Sequence, residues 1–340
     1  MNRIDPQEML DRAVLGLVEH APGATACITD ERHTVALTTS GLRRADRADP
    51  LTPAHAMHIG SCAKSMTATM VARAVDLGIV SWSEPALDHL PGEIDPAFAR
   101  VSLVDLLSHR SGLPPLEDDT EIDRLPAFAG DAVDQRAGLT AHLLEAGPAG
   151  QVGEFRYSNA GFAVAVSVVE RATGWRWEEE MPKMFDRLGM DAGIGWPPAD
   201  HAWGHRLEGD RFAPIDPAGD YQIEPWLAVA GDVHATPESL GVWLRENLAG
   251  LDGGTSLLSA RSWSRLHGLG GDGFGLGWGR QEFRGRQVSV HSGSAETFYT
   301  LMLIDHGSRL GIAICLNAAT PGAQEAAIDV LREAVDHFAA

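Results

Sequence analysis

Lysine is nearly missing from this chain: of 27 basic residues only Lys64 and Lys183 are lysines, and the other 25 are arginines. Positive charge as a whole is short, with 47 acidic residues and a formal net charge of −20. That balance excludes nucleic acid or an anionic membrane as the main partner, because both reward clustered Lys and Arg. Cysteine is scarce too. Cys27, Cys62 and Cys315 are too few and too scattered for a disulfide framework or a zinc site, so a reduced, cytoplasmic protein is expected. No apolar run reaches 18 residues, so no membrane-spanning helix is expected. Met1 to Leu15 lacks the apolar core of a signal peptide. Its charged Asp5, Glu8, Asp11 and Arg12 alternate with Met9, Leu10, Ala13 and Val14, the pattern of an amphipathic first helix. A Gly-x-Ser-x-Gly elbow is absent, which argues against an α/β-hydrolase. Internal repeats and low-complexity segments are absent as well.

What is present is ordinary globular material. The chain has 340 residues, 44% apolar and 22% charged, enough for a large core in one unit or two closely packed ones. Ala24–Thr29 and Thr34–Thr39 are short apolar runs around a polar break and predict a β-hairpin. A polar loop over 41–53 leads to Gly60-Ser61. From Cys62 to Leu77 nearly every residue is Ala, Met, Val, Thr or Leu, ending at Gly78. A helix so apolar on all sides should be buried. Residues 80–225 read as short helices and loops without strand alternation, with a helix over 161–173 stopped by Gly174. Strand chemistry returns at 287–290, 297–304 and 310–316, before an amphipathic helix over 323–338. The order predicts an α+β architecture: an antiparallel sheet built from both ends of the chain, flanked by N- and C-terminal helices, with a mostly helical insertion. The expected division is a sheet domain from 1–60 plus 226–340 and a mainly helical domain from 61–225, with the active site in the cleft between them.

Ser61-Cys62-Ala63-Lys64 carries the chemistry. Side chains three apart share a helix face, so hydroxyl and amine can meet. At the start of a helix, Ser61 also lies near unpaired backbone N–H groups. Lys64 is the only charge before Arg73, and burial of an ammonium lowers its pKa. A neutral amine can take the serine proton, which arginine could not do. One of two lysines therefore stands where arginine would fail. The bland alternative is a stray lysine beside an N-capping serine. Tyr157-Ser158-Asn159 follows a Gly-containing loop; a phenol near a buried amine can relay a proton, and an amide can orient substrate. The plainer reading is a turn with an Asn N-cap. His291-Ser292-Gly293-Ser294 ends a predicted strand, whose edge could offer a backbone N–H to an oxyanion.

In this order the three elements resemble the Ser-x-x-Lys, Tyr-x-Asn and Lys/His-x-Gly motifs of the class C β-lactamase-like serine hydrolases. That superfamily includes penicillin-binding peptidases, D-aminopeptidases and carboxylesterases. Leu106-Leu107-Ser108-His109-Arg110-Ser111-Gly112-Leu113-Pro114, Leu188-Gly189-Met190, Ala230-Gly231 and Phe274-Gly275-Leu276-Gly277-Trp278 also fall in the family's order, so the resemblance runs from about residue 20 to 317. It implies a β-lactamase/transpeptidase-like fold and a covalent acyl-enzyme on Ser61. Lys64 would activate Ser61, Tyr157 would shuttle protons, and Asn159 would contact substrate and Lys64. His291 and Gly293 would belong to the third motif, and the backbone of Ser61 and Ser294 would form the oxyanion hole. Lys64 and Tyr157 would act as one coupled pair. No cofactor and no metal are implied.

Departures from the pattern steer the expected activity. His291 replaces the lysine common in β-lactamases and is largely neutral at pH 7. Glu296 adds negative charge that Arg280, Arg284 or Arg286 could offset. Both favour a carboxylesterase or amidase acting on a small-molecule ester, amide or β-lactam-like substrate, with weak or no β-lactamase activity. An acyltransferase passing the acyl group to an amine or alcohol, and a penicillin-binding sensor without turnover, remain open alternatives. His201-x-x-x-His205 and His55-x-x-His58 have metal-compatible spacing but lack the Glu of a zinc motif. Cys62 reads as a packing residue.

Overall fold

The computed structural model describes residues 4–219, 222–254, 257–269, 273 and 275–339. Tyr221, and Phe274 of the Phe274–Trp278 segment, lie outside the described residues. Helix α1 (Pro6–Leu17) is capped by the Asp5 carboxylate on the Gln7 and Glu8 N–H groups and buries Met9, Leu10, Val14 and Leu17. Strands β1 (Gly23–Thr29), β2 (Thr34–Arg44), β3 (Asp49–Pro50) and β4 (Met57–His58) follow. A 3-10 turn, Gly60–Cys62, leads into α2 (Ala63–Asp76). Next come α3 (Leu103–Leu107), α4 (Asp119–Ile122), α5 (Ala132–Ala146), α6 (Asn159–Thr173) and α7 (Trp177–Leu188). Short strands β5 (Ala192–Ile194), β6 (Gly204–Glu208), β7 (Arg211–Ile215) and β8 (Val233–Ala235) precede α8 (Pro237–Leu251) and α9 (Ala260–Leu266). The chain closes with β9 (Gly279–Phe283), β10 (Arg286–Ser294), β11 (Tyr299–Asp305), β12 (Leu310–Leu316) and α10 (Pro321–Ala339).

The main sheet runs β3-β2-β1-β12-β11-β10-β9 among the described residues, antiparallel throughout. The α+β expectation, with a sheet drawn from both ends of the chain, holds. Helices cover both faces of its centre, which is why β1, β11 and β12 are buried along their whole length and read as continuous apolar runs. Ile312, Ile314, Leu301 and Leu303 face α1 and α10, while Ala313, Cys315, Met302 and Ile304 face the larger core around α2, α6 and α8. Small residues on that second face let α8 approach closely: a Cβ on Gly311 would sit 2.7 Å from the Leu244 Cβ.

Boundaries differ from expectation where polar residues pair. The loop expected over 41–53 is partly strand, since β2 continues to Arg44 and pairs with β3 through Leu42↔Pro50 and Arg44↔Asp49. Three strands also interrupt the segment expected to be helical, of three to five residues each. Strands so short and half-exposed carry no readable alternation.

Candidate active site

Helix α2 is buried around its circumference, as its composition predicts; Lys64 itself is 0% exposed. Side-chain bonds sew it into the core. Thr67 donates to Val229 O and accepts from the Trp177 indole, and Ser65 donates to Cys62 O and accepts from Trp243. Ser61 lies not in the helix but in the 3-10 turn before it. The i, i+3 geometry survives this change, and Lys64 Nζ lies 2.9 Å from Ser61 Oγ. Its other partner is Ala230 O at 2.6 Å, the last residue of a second 3-10 turn, Ala228–Ala230. Burial pushes the Lys64 ammonium down to about 7, against a smaller opposing pull from Glu117. An amine near neutrality beside a hydroxyl is what proton abstraction needs.

Tyr157 faces Ser61 and Lys64. Its phenol is raised by burial, and contact with the Ser61 hydroxyl acts the other way; Lys64 Nζ stands 5.0 Å from its ring centroid. The Leu106–Pro114 segment holds it there. His109, in a left-handed conformation (φ 61°), lies under the Tyr157 ring with centroids 4.4 Å apart. His109 Nδ1 accepts the Ser158 N–H at 3.1 Å, and the His109 carbonyl accepts the Arg156 N–H at 2.8 Å. Ser158 Oγ donates to Pro114 O and caps α6 through the Gly161 N–H, so Ser158 rather than Asn159 is the N-cap. The sequence marks this segment only as a landmark; in three dimensions it is the template for Tyr157.

Asn159 borders the Ser61 cavity, but its amide donates to Leu116 O at 2.8 Å. No hydrogen bond joins it to Lys64 among the described residues; the amine's partners are Ser61 Oγ and Ala230 O. The third motif is part of β10 rather than a turn after it. His291 is half-buried, its Nδ1 2.8 Å from Ser292 O; burial, then the Lys64 charge, lower its imidazole, so it is neutral at pH 7. Gly293 and Gly60 are where two backbones touch. A Cβ on Gly293 would sit 2.0 Å from Ile59 O and 2.8 Å from Ser61 N, and one on Gly60 (φ +51°) would sit 2.6 Å from Ser294 N. Only glycine permits that approach, and it brings the Ser61 and Ser294 backbones together. Gly293→Ala is expected to slow modification of Ser61 by an acylating reagent about 10²-fold, the cost of a displacement on the order of 1 Å. A rate within twofold of wild type would show the approach to be dispensable.

Two cavities border the site residues, and Ser61 lines one of them. One, of about 430 Å³, contains Ser61, Asn159 and Ser294 and is rimmed by Glu117, Asp119, Asp123, Glu224 and Glu296. The other, about 560 Å³, lies beyond Tyr157 and His291 and is lined by Phe155, Trp278, Phe283 and Tyr299 among others. Glu296 is paired with Arg206 at 2.8 Å, not with the three arginines expected from the sequence. Arg284 pairs with Asp336, Arg286 is held by Asp305, and Arg280 donates to Gly268 O. Arg206 lies 90 residues from Glu296 on the β6–β7 hairpin, which no local pattern connects to β10.

The histidines with metal-like spacing have other partners. His201 Nδ1 accepts the Ala56 N–H and His205 Nε2 the Ala45 N–H, and His55 Nδ1 accepts the Thr52 N–H. Cys62 is buried, its thiol pushed well up by burial and pointed at His291 O and Thr300 O of the sheet. It packs, as expected. Among the described residues no helix is long and apolar enough to cross a membrane.

A family model described as Beta-lactamase matches residues 10–336. Among curated proteins, the chain is 26% identical to "Penicillin-binding protein 4" of Amycolatopsis lactamdurans, over 98% of this chain and 89% of that one. It is 29% identical to "Esterase/beta-lactamase LipL" of Mycobacterium tuberculosis, over 46% of this chain and 35% of that one. Among solved structures, the beta-lactamase from Sulfitobacter sp. EE-36 superposes with a TM-score of 0.78 at 19% identity, covering 99% of this chain and 98% of that one. At that identity the superposition shows the fold.

Proposed function

The chain belongs to the beta-lactamase family, and from that premise we propose that it is a serine hydrolase of the carboxylesterase or amidase kind, with weak or no β-lactamase activity. The observation that carries the reading is the buried Lys64 amine, 2.9 Å from Ser61 and poised near pH 7. In this reading Lys64 accepts the Ser61 proton as Oγ bonds to the substrate carbonyl carbon. The oxyanion is met by the backbone N–H groups of Ser61 and Ser294. The carbonyl then re-forms, the C–O or C–N bond breaks, and the leaving group takes the proton from the Lys64–Tyr157 pair. Water attacks the acyl-enzyme with the same pair as base, releasing the acid and returning the proton to Ser61. Asn159 and His291 border the substrate, and the cleft separates a sheet part (1–60 plus 226–340) from a mainly helical part (61–225).

Charge supports an ester or amide over a classical β-lactam. Five carboxylates rim the Ser61 cavity; among the described residues Glu296 alone of them forms a close salt bridge, and Glu117 feels the Lys64 charge only as a smaller effect against its burial. A neutral His291 adds no cation to hold a substrate carboxylate, so an anionic lactam meets repulsion at the acidic rim. Neutral or amine-bearing acyl groups do not.

A fluorophosphonate pulse followed by intact-mass measurement is expected to add one phosphonyl group to the wild type and none to Ser61→Ala. A neutral aryl ester should be turned over faster than a chromogenic cephalosporin by 10²-fold or more, with the free acid as product. Equal ester turnover by Ser61→Ala would sink the proposal, and a stable adduct that never clears with any ester would point to a sensor instead.

A further inference from the structure

We propose that His58 and Asp232 form a positioning pair that sets Ser61 against Lys64, a role that rests on the functional reading above. His58 ends β4, two residues before the 3-10 turn, and its side chain is 0% exposed. Its ring lies against Trp196, with centroids 4.5 Å apart. Both ring nitrogens are engaged. The Gly60 N–H donates to Nδ1 at 3.2 Å, and Nε2 lies 3.1 Å from Asp232 Oδ1.

A backbone N–H can only donate, so Nδ1 carries the lone pair and the proton sits on Nε2, donated to the carboxylate. Asp232 thereby selects the one neutral tautomer that can hold Gly60. The opposite tautomer would set N–H against N–H and release the Gly60 peptide. That peptide is the one that matters: Gly60 is left-handed (φ +51°), wedged against Ser294 N, and linked directly to Ser61.

Asp232 completes the connection from the other side. It follows Ala230-Gly231, and Ala230 O is the second partner of the Lys64 amine. The Ile59 N–H also donates to Val233 O at 2.9 Å. One buried imidazole thus spans the peptide that presents the nucleophile and the segment that orients its activating amine. Neither residue touches Ser61 or a substrate, so the pair acts through geometry alone.

Two isosteres separate this role from packing. Asparagine places Oδ1 where His58 has Nδ1, keeping the acceptor for Gly60 but not the reach to Asp232. Glutamine places Nε2 where His58 has Nε2, keeping the bond to Asp232 but losing the acceptor. Both lose the ring, so both should lower the melting temperature similarly. With the aryl ester, His58→Gln is expected to lose about 10²-fold in kcat with KM within threefold of wild type. His58→Asn should recover at least a tenth of wild-type kcat, and the phosphonylation rate of Ser61 should follow the same order. Equal losses in the two variants, or a change confined to KM, would overturn the pairing. Should either His58 variant fail to fold, Asp232→Asn against Asp232→Leu decides: Asn keeps an acceptor for Nε2–H and should exceed Leu by tenfold or more in phosphonylation rate, and equal rates would overturn it. Wild type is labelled first. No adduct there counts against the functional reading, whereas normal labelling with indistinguishable variants counts against the positioning role alone.

Discussion

Replacing Lys64 by methionine should remove about 10³–10⁴-fold of the ester turnover and, at pH 7, make the protein melt a few degrees higher. Both effects come from the same burial. The amine titrates near 10.5 in water and is pushed to about 7 in the folded chain. Between those values the unfolded chain binds a proton that the folded chain does not, so stability falls as pH drops from about 10.5 to 7 and then levels off. A shift of that size costs about 5 kcal/mol. Methionine fills a similar volume without this cost, but leaves Ala230 O without the bond it receives from Lys64, a loss of about 1–3 kcal/mol. The first effect is the larger, so the net sign is stabilising. The gain should be greatest at and below pH 7, shrink as pH rises and turn into a small loss above pH 10, where only the missing bond to Ala230 O remains, in thermal melts across that range. A variant that melts lower at pH 7, or a difference independent of pH, would show the amine not to be strained by burial. In the wild type, kcat/KM should fall as pH drops through about 7, as Lys64 takes up its proton. His291 and Tyr157 are displaced by burial to opposite sides of that window, so a single limb is expected between about pH 5 and 9.

Removing Arg136 should have the largest effect on stability. Its side chain is 0% exposed, yet it is charged and joins three helices. From α5 it donates to both carboxylate oxygens of Glu170 on α6, at 3.1 and 2.6 Å, and to Glu178 on α7 at 3.1 Å. Glu170 also accepts the Trp177 N–H at 3.1 Å, fixing the start of α7. Arg136→Met leaves a buried carboxylate without its cation, a change worth about 3–5 kcal/mol of destabilisation. Urea unfolding at pH 7 should show it as a lower midpoint. The double variant Arg136→Met with Glu170→Leu should recover much of the loss, because a buried pair replaced whole by apolar groups is close to neutral. A double variant as unstable as the sum of its singles would contradict this account. The effect should reach turnover only through the folded fraction, since Arg136 lines neither the Ser61 cavity nor the one beside Tyr157 and His291.

How much of this was legible beforehand depends on the reach of each signal. The Ser61–Lys64 spacing, the all-apolar circumference of α2 and the Gly174 stop of α6 are local, and the structure agrees with them. The core strands were placed to within a few residues, because runs such as 310–316 are buried on both faces. Polar pairing was not legible: β2 runs on through Ser40–Arg44, and β10 carries His291–Ser294 inside the strand. Neither stretch has a hydrophobic period to announce it. Sequence proximity points to Arg280, Arg284 or Arg286 as the partner of Glu296, whereas the true partner, Arg206, sits on a distant hairpin. At the level of sequence His58 reads only as a metal-compatible histidine, because nothing near it in the chain hints at Asp232, 174 residues away.

The amino-acid order alone determined which groups could do acyl chemistry here: a serine, a lysine one helical turn later, and a tyrosine after a glycine-containing loop. Covalent spacing and helix geometry need no tertiary information. Whether that lysine is an amine or an ammonium, which carbonyl it leans on, and how closely β10 approaches the serine were decided only by folding. Those properties depend on excluded water and on contacts between segments more than a hundred residues apart. Burial and long-range approach are properties of the packed chain, and no window of sequence contains them.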